Sequence, residues 1–269
     1  MNQKTGDKRD SQMIGGKLSP QLIAGIFVTV FFAAALSFRI VFPYGHVFVG
    51  DWIKYTGTDA WYHMRIVDNL VHNFPNLNTI DPYLLYPVPM SLGIERFFDY
   101  FLAALIWIAG LGSPTQHTVN LIGVYLPAIL GALVVIPVYF IGKTLVNRWV
   151  GVLAAGLIAF SPGEFLGRSI IGQADHHVLE VLCSTITMLF IILAVQSARQ
   201  RQMLFSHPKN LNWPVVAKPL IYSVIAGIVL GVYLNSWLGA LLFVFILFAY
   251  LVIQFIIDYL RGIQSDYLC

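Results

Sequence analysis

Two polar stretches interrupt an otherwise apolar chain: Gly57-Thr58-Asp59-Ala60-Trp61-Tyr62-His63 and, much later, Gly167-Arg168-Ser169-Ile170-Ile171-Gly172-Gln173-Ala174-Asp175-His176-His177. Each follows a hydrophobic run and sets a carboxylate beside imidazoles, the hard and borderline donors that hold a divalent cation. The chemistry they suggest is a metal site split between two segments. Every residue in them also has a plainer role.

Asp59 opens a stretch in which Tyr62, Ile66 and Leu70 recur at helical spacing, and an aspartate at a helix start is ordinarily a cap. His63, four residues on, can share its face or simply pack among aromatics. Asp175 and His177 lie on one side in extended backbone and diverge at a helix start, where Asp175 would be an N-cap followed by two interfacial histidines. Glu180 suits a capping box as well as it suits a ligand. Such groups at a membrane boundary are costly unless solvated or paired. Arg168 stands among small and apolar residues, where a guanidinium can bind an anionic head group, clasp Asp175, or snorkel to the interface. Tyr233-Leu234-Asn235-Ser236-Trp237 reads by composition as an aromatic belt.

The elements that carry these motifs are membrane spans. Hydrophobic residues make up 58% of the chain and charged ones 11%, against about 25% charged in soluble domains. The net charge of +3 is not clustered on a face, which excludes a nucleic-acid partner. Cys183 and Cys269 can build neither a disulfide framework nor a thiolate metal site. No cleavable signal is evident, because the first twenty residues are polar and the first apolar run is long enough to span.

Runs of span length are expected at 21–42, 119–141, 178–196, 219–235 and 238–257, with a shorter one at 149–160. Residues 97–111 are apolar over a length that suits a re-entrant or interfacial helix as well as a span. Charge arbitrates, since Lys and Arg accumulate on the cytoplasmic side. If 97–111 stays on one side, Lys4, Lys8, Arg9, Lys17, Lys143, Arg148, Arg199, Arg201, Lys209, Lys218 and Arg261 lie inside, and only Lys54, Arg65, Arg96 and Arg168 outside. If it crosses, the excess reverses. The expectation is an all-α polytopic bundle of about six spans. It comprises a cytoplasmic tail 1–20, a membrane region 21–257 with outer loops 43–118 and 161–177, and a cytoplasmic end 258–269. Asp59 and Asp175 then share a compartment.

These residues resemble the catalytic subunit of oligosaccharyltransferase, a polytopic enzyme of the GT-C type that moves a lipid-linked glycan onto asparagine. The resemblance rests on Gly57 to His63 with Met64-Arg65, on Tyr125-Leu126-Pro127-Ala128, on Gly167-Arg168-Ser169 with Asp175-His176-His177, and on Leu234-Asn235-Ser236-Trp237-Leu238-Gly239. It runs from about residue 20 to 257, and the Asp-x-His ending looks most like the archaeal branch. The resemblance implies that Asp59 binds the metal and helps activate the acceptor amide, that Asp175 and His177 complete the ligands from this half, and that Arg168 supports the catalytic site. It implies Mn²⁺ or Mg²⁺ as cofactor, with an imidazole ligand tilting the preference away from Mg²⁺. The implied partners are a dolichyl phosphate or diphosphate oligosaccharide donor, an acceptor protein with Asn-x-Ser/Thr, and membrane lipid. The reaction would be metal-dependent and inverting, in a multi-pass protein of the cell membrane with its site facing outside.

The departure is length. The family carries about twice as many spans, a further acidic outer loop and a soluble domain with a W-W-D-Y-G-like motif, so the expectation is the N-terminal portion of an incomplete enzyme. The alternatives are another membrane glycosyltransferase, such as a protein O-mannosyltransferase, and a transporter or metal-binding membrane module. Transporters favour broken helices with polar residues at mid-membrane, whereas the ionisable residues here sit at the outer boundary.

Overall fold

The computed structural model describes residues 19–93, 95–200 and 213–268. Lys4, Lys8, Arg9, Lys17, Arg201, Lys209 and Cys269, with most of the expected N-terminal tail, lie outside the described residues. The chain runs through α1 (Pro20–Val41), α2 (Tyr44–Val47), the pair β1 (Phe48–Val49) and β2 (Trp52–Ile53), α3 (Thr58–His72), and the hairpin β3 (Ile80–Leu85) and β4 (Val88–Ser91). It continues with α4 (Phe97–Ala109), α5 (Gln116–Leu133), α6 (Val135–Leu145), α7 (Arg148–Ala159), α8 (Glu164–Gly167), α9 (His177–Gln200), α10 (Trp213–Ser236) and α11 (Ala240–Leu260). Both two-stranded sheets are antiparallel.

Among the described residues, five helical runs are long and apolar enough to cross a membrane: Pro20–Val47, Gln116–Leu145, His177–Gln200, Trp213–Ser236 and Ala240–Leu260. The first begins where Ser19 caps it through Leu22 N–H, with Pro20 just inside, the arrangement that starts a helix without an unsatisfied donor. Gln116–Leu145 is the packed centre, with Val119, Val124, Ala128, Ala132 and Val135 buried. By contrast α11 exposes most of its apolar surface, as lipid or a further protein layer permits.

The expected sixth crossing at 149–160 is the one that departs from a simple span. Helix α7 has 12 residues, about 18 Å of rise, against a hydrocarbon core of about 30 Å. It packs against α6 so closely that a Cβ on Gly142 would sit 2.9 Å from Gly151 Cα, the small-residue contact that holds membrane helices together. The chain then reaches α9 through residues 160–176, which include α8, and Ser169, Ile171 and Asp175 there are fully buried.

Arg39 of α1 anchors that loop. It is fully buried, donates from Nε to Ser169 Oγ at 2.8 Å and from Nη1 to the Ala35 and Ala159 carbonyls, and lies 5.0 Å from the Phe165 ring centre. The loop backbone is tied on both sides: Ile171 N–H donates to Arg39 O and Gly172 N–H to Val124 O. Thr56 N–H in turn donates to Gly172 O at 3.0 Å. That one bond joins the backbones of the two polar motifs.

Residues 43–118 form more than a loop. His63 near the start of α3 meets Asp99 near the start of α4, and Phe74 after α3 stacks on Trp107 near the end of α4. The two helices therefore run side by side in the same direction. Tyr55 Oη reaches Asn120 early in α5, so the chain arrives at α5 on the same end of the bundle from which α3 started. Helix α4 packs on α3 and α5.

Candidate metal centre

Asp59 occupies the first turn of α3, but it is not the cap. Gly57 takes that position with φ +82°, and its backbone supplies no side-chain bond. Released from capping, the Asp59 side chain stays 60% exposed with its Oδ2 at 4.0 Å from Arg168 Nη1. Asp175 ends the covered loop just before α9 and is buried. Its Oδ1 accepts the His176 backbone N–H at 2.6 Å, and its Oδ2 lies 3.4 Å from Arg168 Nη1 and 3.5 Å from His177 Nε2. Asp175 and His177 thus converge although α9 begins between them.

One donor atom each from Asp59, Asp175 and His177 lies within 4.8 Å of the others, a spread that one divalent ion can span. The residues fit such an ion by donor chemistry as well. His177 Nδ1 sits 3.0 Å from Glu180 Oε1 and its Nε2 3.5 Å from Asp175 Oδ2, so the carboxylate stands behind the ring and would favour the tautomer that leaves Nε2 for an ion. The Asp175 carboxyl is pushed up by burial, but the hydrogen bond from His176 and the charges of His176, His177 and His63 outweigh it and bring it down to about 2. A carboxylate so poised is ionised at any physiological pH. Arg168, beside Glu164, Asp175 and Asp59, is held more firmly protonated than usual, first by its 2.9 Å bond to Glu164 and against some loss of hydration.

Several neighbours carried no decisive signal in the sequence. Asp99 is fully buried and accepts from His63 Nδ1 at 2.5 Å, while Arg96 approaches its other oxygen at 3.3 Å and donates to Tyr62 Oη at 2.6 Å. His63 Nε2 lies 3.2 Å from His176 Nδ1. Trp237, read as part of an aromatic belt, places its ring 6.5 Å from His177 in a T-shaped contact. Below it an apolar groove of about 380 Å³ runs between α6, α9, α10 and α11 past Ile141, Met188, Tyr233 and Phe243. Only the co-occurrence of Asp99 and Glu180 in the first turns of apolar helices could have drawn notice, and favourable helix-dipole placement explains that equally well.

Comparison with known proteins bears on this geometry. The family described as "Oligosaccharyl transferase STT3, N-terminal" matches residues 22–262. Dolichyl-monophosphooligosaccharide–protein glycotransferase AglB of Haloferax volcanii is 34% identical over 216 residues, covering 80% of this chain and 20% of that protein. Dolichyl-phosphooligosaccharide-protein glycotransferase 3 of Archaeoglobus fulgidus is 32% identical over 225 residues, covering 83% and 24%. The fold is similar to that of Archaeoglobus fulgidus AglB solved with an inhibitory peptide and a dolichol-phosphate, with a TM-score of 0.80 at 27% identity over 92% of this chain and 27% of that one. The chain therefore spans about a fifth to a quarter of the length of the relatives it matches.

Proposed function

The chain belongs to the oligosaccharyl transferase STT3 family, in its N-terminal part, and from that premise we propose that it forms the metal- and donor-binding half of an asparagine-linked glycosyltransferase. The substrates proposed are a dolichyl-phosphate-linked oligosaccharide and a protein asparagine in Asn-x-Ser/Thr. An AglB of known structure has been captured with dolichol-phosphate, and a related one with a tethered peptide containing the NVT sequon. The observation that carries the reading is the convergence of Asp59, Asp175 and His177, from distant segments, on one point.

Each side chain has a definable task. An asparagine amide nitrogen is a poor nucleophile because its lone pair is delocalised. The exposed Asp59 carboxylate can accept the amide N–H bonds and favour a carboxamide twisted out of conjugation. Asp59, Asp175 and His177 would hold the ion, proposed as Mn²⁺ or Mg²⁺, which would supply Lewis acidity toward the departing lipid phosphate. Arg168 stands where it can pair with the same phosphate while clasping Asp175, as a guanidinium does best. The apolar groove beneath Trp237 suits the first isoprene units of the lipid. We place the whole site on the outer face, because six crossings leave the excess of Lys and Arg inside.

The test is a chimera in which residues 22–262 replace the corresponding part of an archaeal glycotransferase, expressed in a host lacking its own. Restored glycan transfer to an Asn-x-Thr reporter, lost by orders of magnitude in Asp59→Ala and Asp175→Ala at unchanged membrane levels, is expected. Full transfer by the double variant would sink the assignment.

A further inference from the structure

We infer that Asp175 is a bridging ligand, and that His63 Nε2, His176 Nδ1 and Asp175 Oδ1 form a second cation site, rich in imidazole and suited to an ion of the Zn²⁺ class. This goes beyond the transfer reaction and rests on the geometry of the cluster itself. The three atoms are separated by 3.2 Å (His63 to His176), 2.7 Å (His176 to Asp175) and 3.6 Å (His63 to Asp175). A circle through them has a radius of about 1.9 Å, just under the metal–nitrogen bond of about 2.0–2.1 Å, so one ion reaches all three from slightly off their plane. The same three residues meet as a group of donors within metal-binding range.

The backing of the two imidazoles makes the case. His63 has Asp99 on its Nδ1 at 2.5 Å, and His176 has Glu180 Oε1 on its Nε2 at 3.2 Å. A carboxylate thus stands behind each ring, hydrogen-bonded to His63 and within 3.2 Å of His176, on the side where orienting carboxylates stand behind metal-bound histidines. The three donors lie on side chains of which His63 is 7% and Asp175 1% exposed, and the neighbouring buried Glu180 Oε1 has no hydrogen-bond partner among the described residues, so the cluster gathers donors that a cation would satisfy.

Donor type separates the two sites. The Asp59, Asp175 and His177 face offers two carboxylates and one imidazole, which suits Mn²⁺ or Mg²⁺, whereas the new face offers two imidazoles and one carboxylate, which suits later metals. Asp175 would place one oxygen on each ion, as carboxylates do in sites whose metals stand roughly 3.5–4 Å apart. The second ion would hold Oδ1 and thereby aim Oδ2 at the transfer centre.

The protein, purified in lipid nanodiscs and stripped with chelator, would be titrated with Zn²⁺ and with Co²⁺, counting bound metal by mass spectrometry and reading Co²⁺ ligand-field absorption. Two Zn²⁺ per wild-type chain are expected, falling to one in His63→Gln and in His176→Gln. Asp59→Asn should also hold one, retaining the Co²⁺ spectrum of the two-imidazole site. A wild-type stoichiometry of one that His63→Gln leaves unchanged overturns the proposal, because a shared proton then satisfies the cluster, and so does a count of two in both histidine variants. A count of one that Asp59→Asn leaves unchanged and His63→Gln abolishes would instead remove the ion from the proposed transfer centre and leave the imidazole site standing.

Discussion

At the scale of single residues, the centre is organised by what stands behind its ligands. Glu180 faces both His176 and His177 without reaching the donor atoms of Asp59 or Asp175. Glu180→Gln should weaken Mn²⁺ binding by about 10–100-fold, the usual cost of losing a carboxylate behind a metal-bound histidine, with the fold retained. Isothermal titration with Mn²⁺ checks this, and unchanged affinity would show that His177 is oriented by packing alone. Asp59, Asp175 and His177 were legible in the sequence because carboxylates and imidazoles beside apolar runs are conspicuous. Glu180 stayed open between a capping box and a ligand, and Asp99 carried no signal, since an acid in the first turn of a helix has an ordinary reason to be there.

At the scale of elements, loop 160–176 carries one part of the site, and hairpin β3–β4 packs on the helix α3 that carries the other. Gly172 has φ +85°, and a Cβ there would sit 3.0 Å from Val47 Cγ2. Gly172→Ala should cost about 1–2 kcal/mol from the left-handed backbone alone, seen as a lower melting temperature in detergent together with weaker metal binding, because the same residue ties both motifs. The hairpin is pinned to α3 by Arg65, which makes a bidentate pair with the buried Asp81 and lies over the Tyr83 ring. The bond from Arg65 holds the Asp81 carboxyl below its ordinary value, against burial and helped by Tyr83 N–H. A depressed carboxylate contributes stability above its unfolded pKa, near 3.9, and loses it as pH falls further. Protease nicking of residues 80–91 should therefore rise as pH drops below about 4, and Asp81→Asn should nick readily at neutral pH and lose that dependence.

At the scale of the molecule, the fold is that of a multi-pass membrane protein, and the resemblance read from the two motifs holds: the family matches from residue 22 to 262. The alternatives of a transporter and of an O-mannosyltransferase fall with that match. Asp59 and Asp175 meet, so the chain between them must leave one side of the bundle and return to it, and we propose that α7 rather than α4 makes the second passage. Cysteine probes at residues 112–118 should accordingly label from outside intact cells and stay silent to reagents confined to the cytoplasm. Labelling from the cytoplasm would reverse the orientation proposed for the site.

Composition, run length and the placement of Lys and Arg determined by themselves that this chain spans a membrane several times and that its two polar motifs lie on one side. Each of those properties is additive along the chain. The tertiary structure alone decided that the segment after α7 is buried at Ser169, Ile171 and Asp175, that Asp59 is free of capping duty, and that Asp99 and Glu180 stand behind the histidines. Those facts depend on which buried polar atoms find partners across long stretches of sequence, and such pairing is a property of packing rather than of any local pattern.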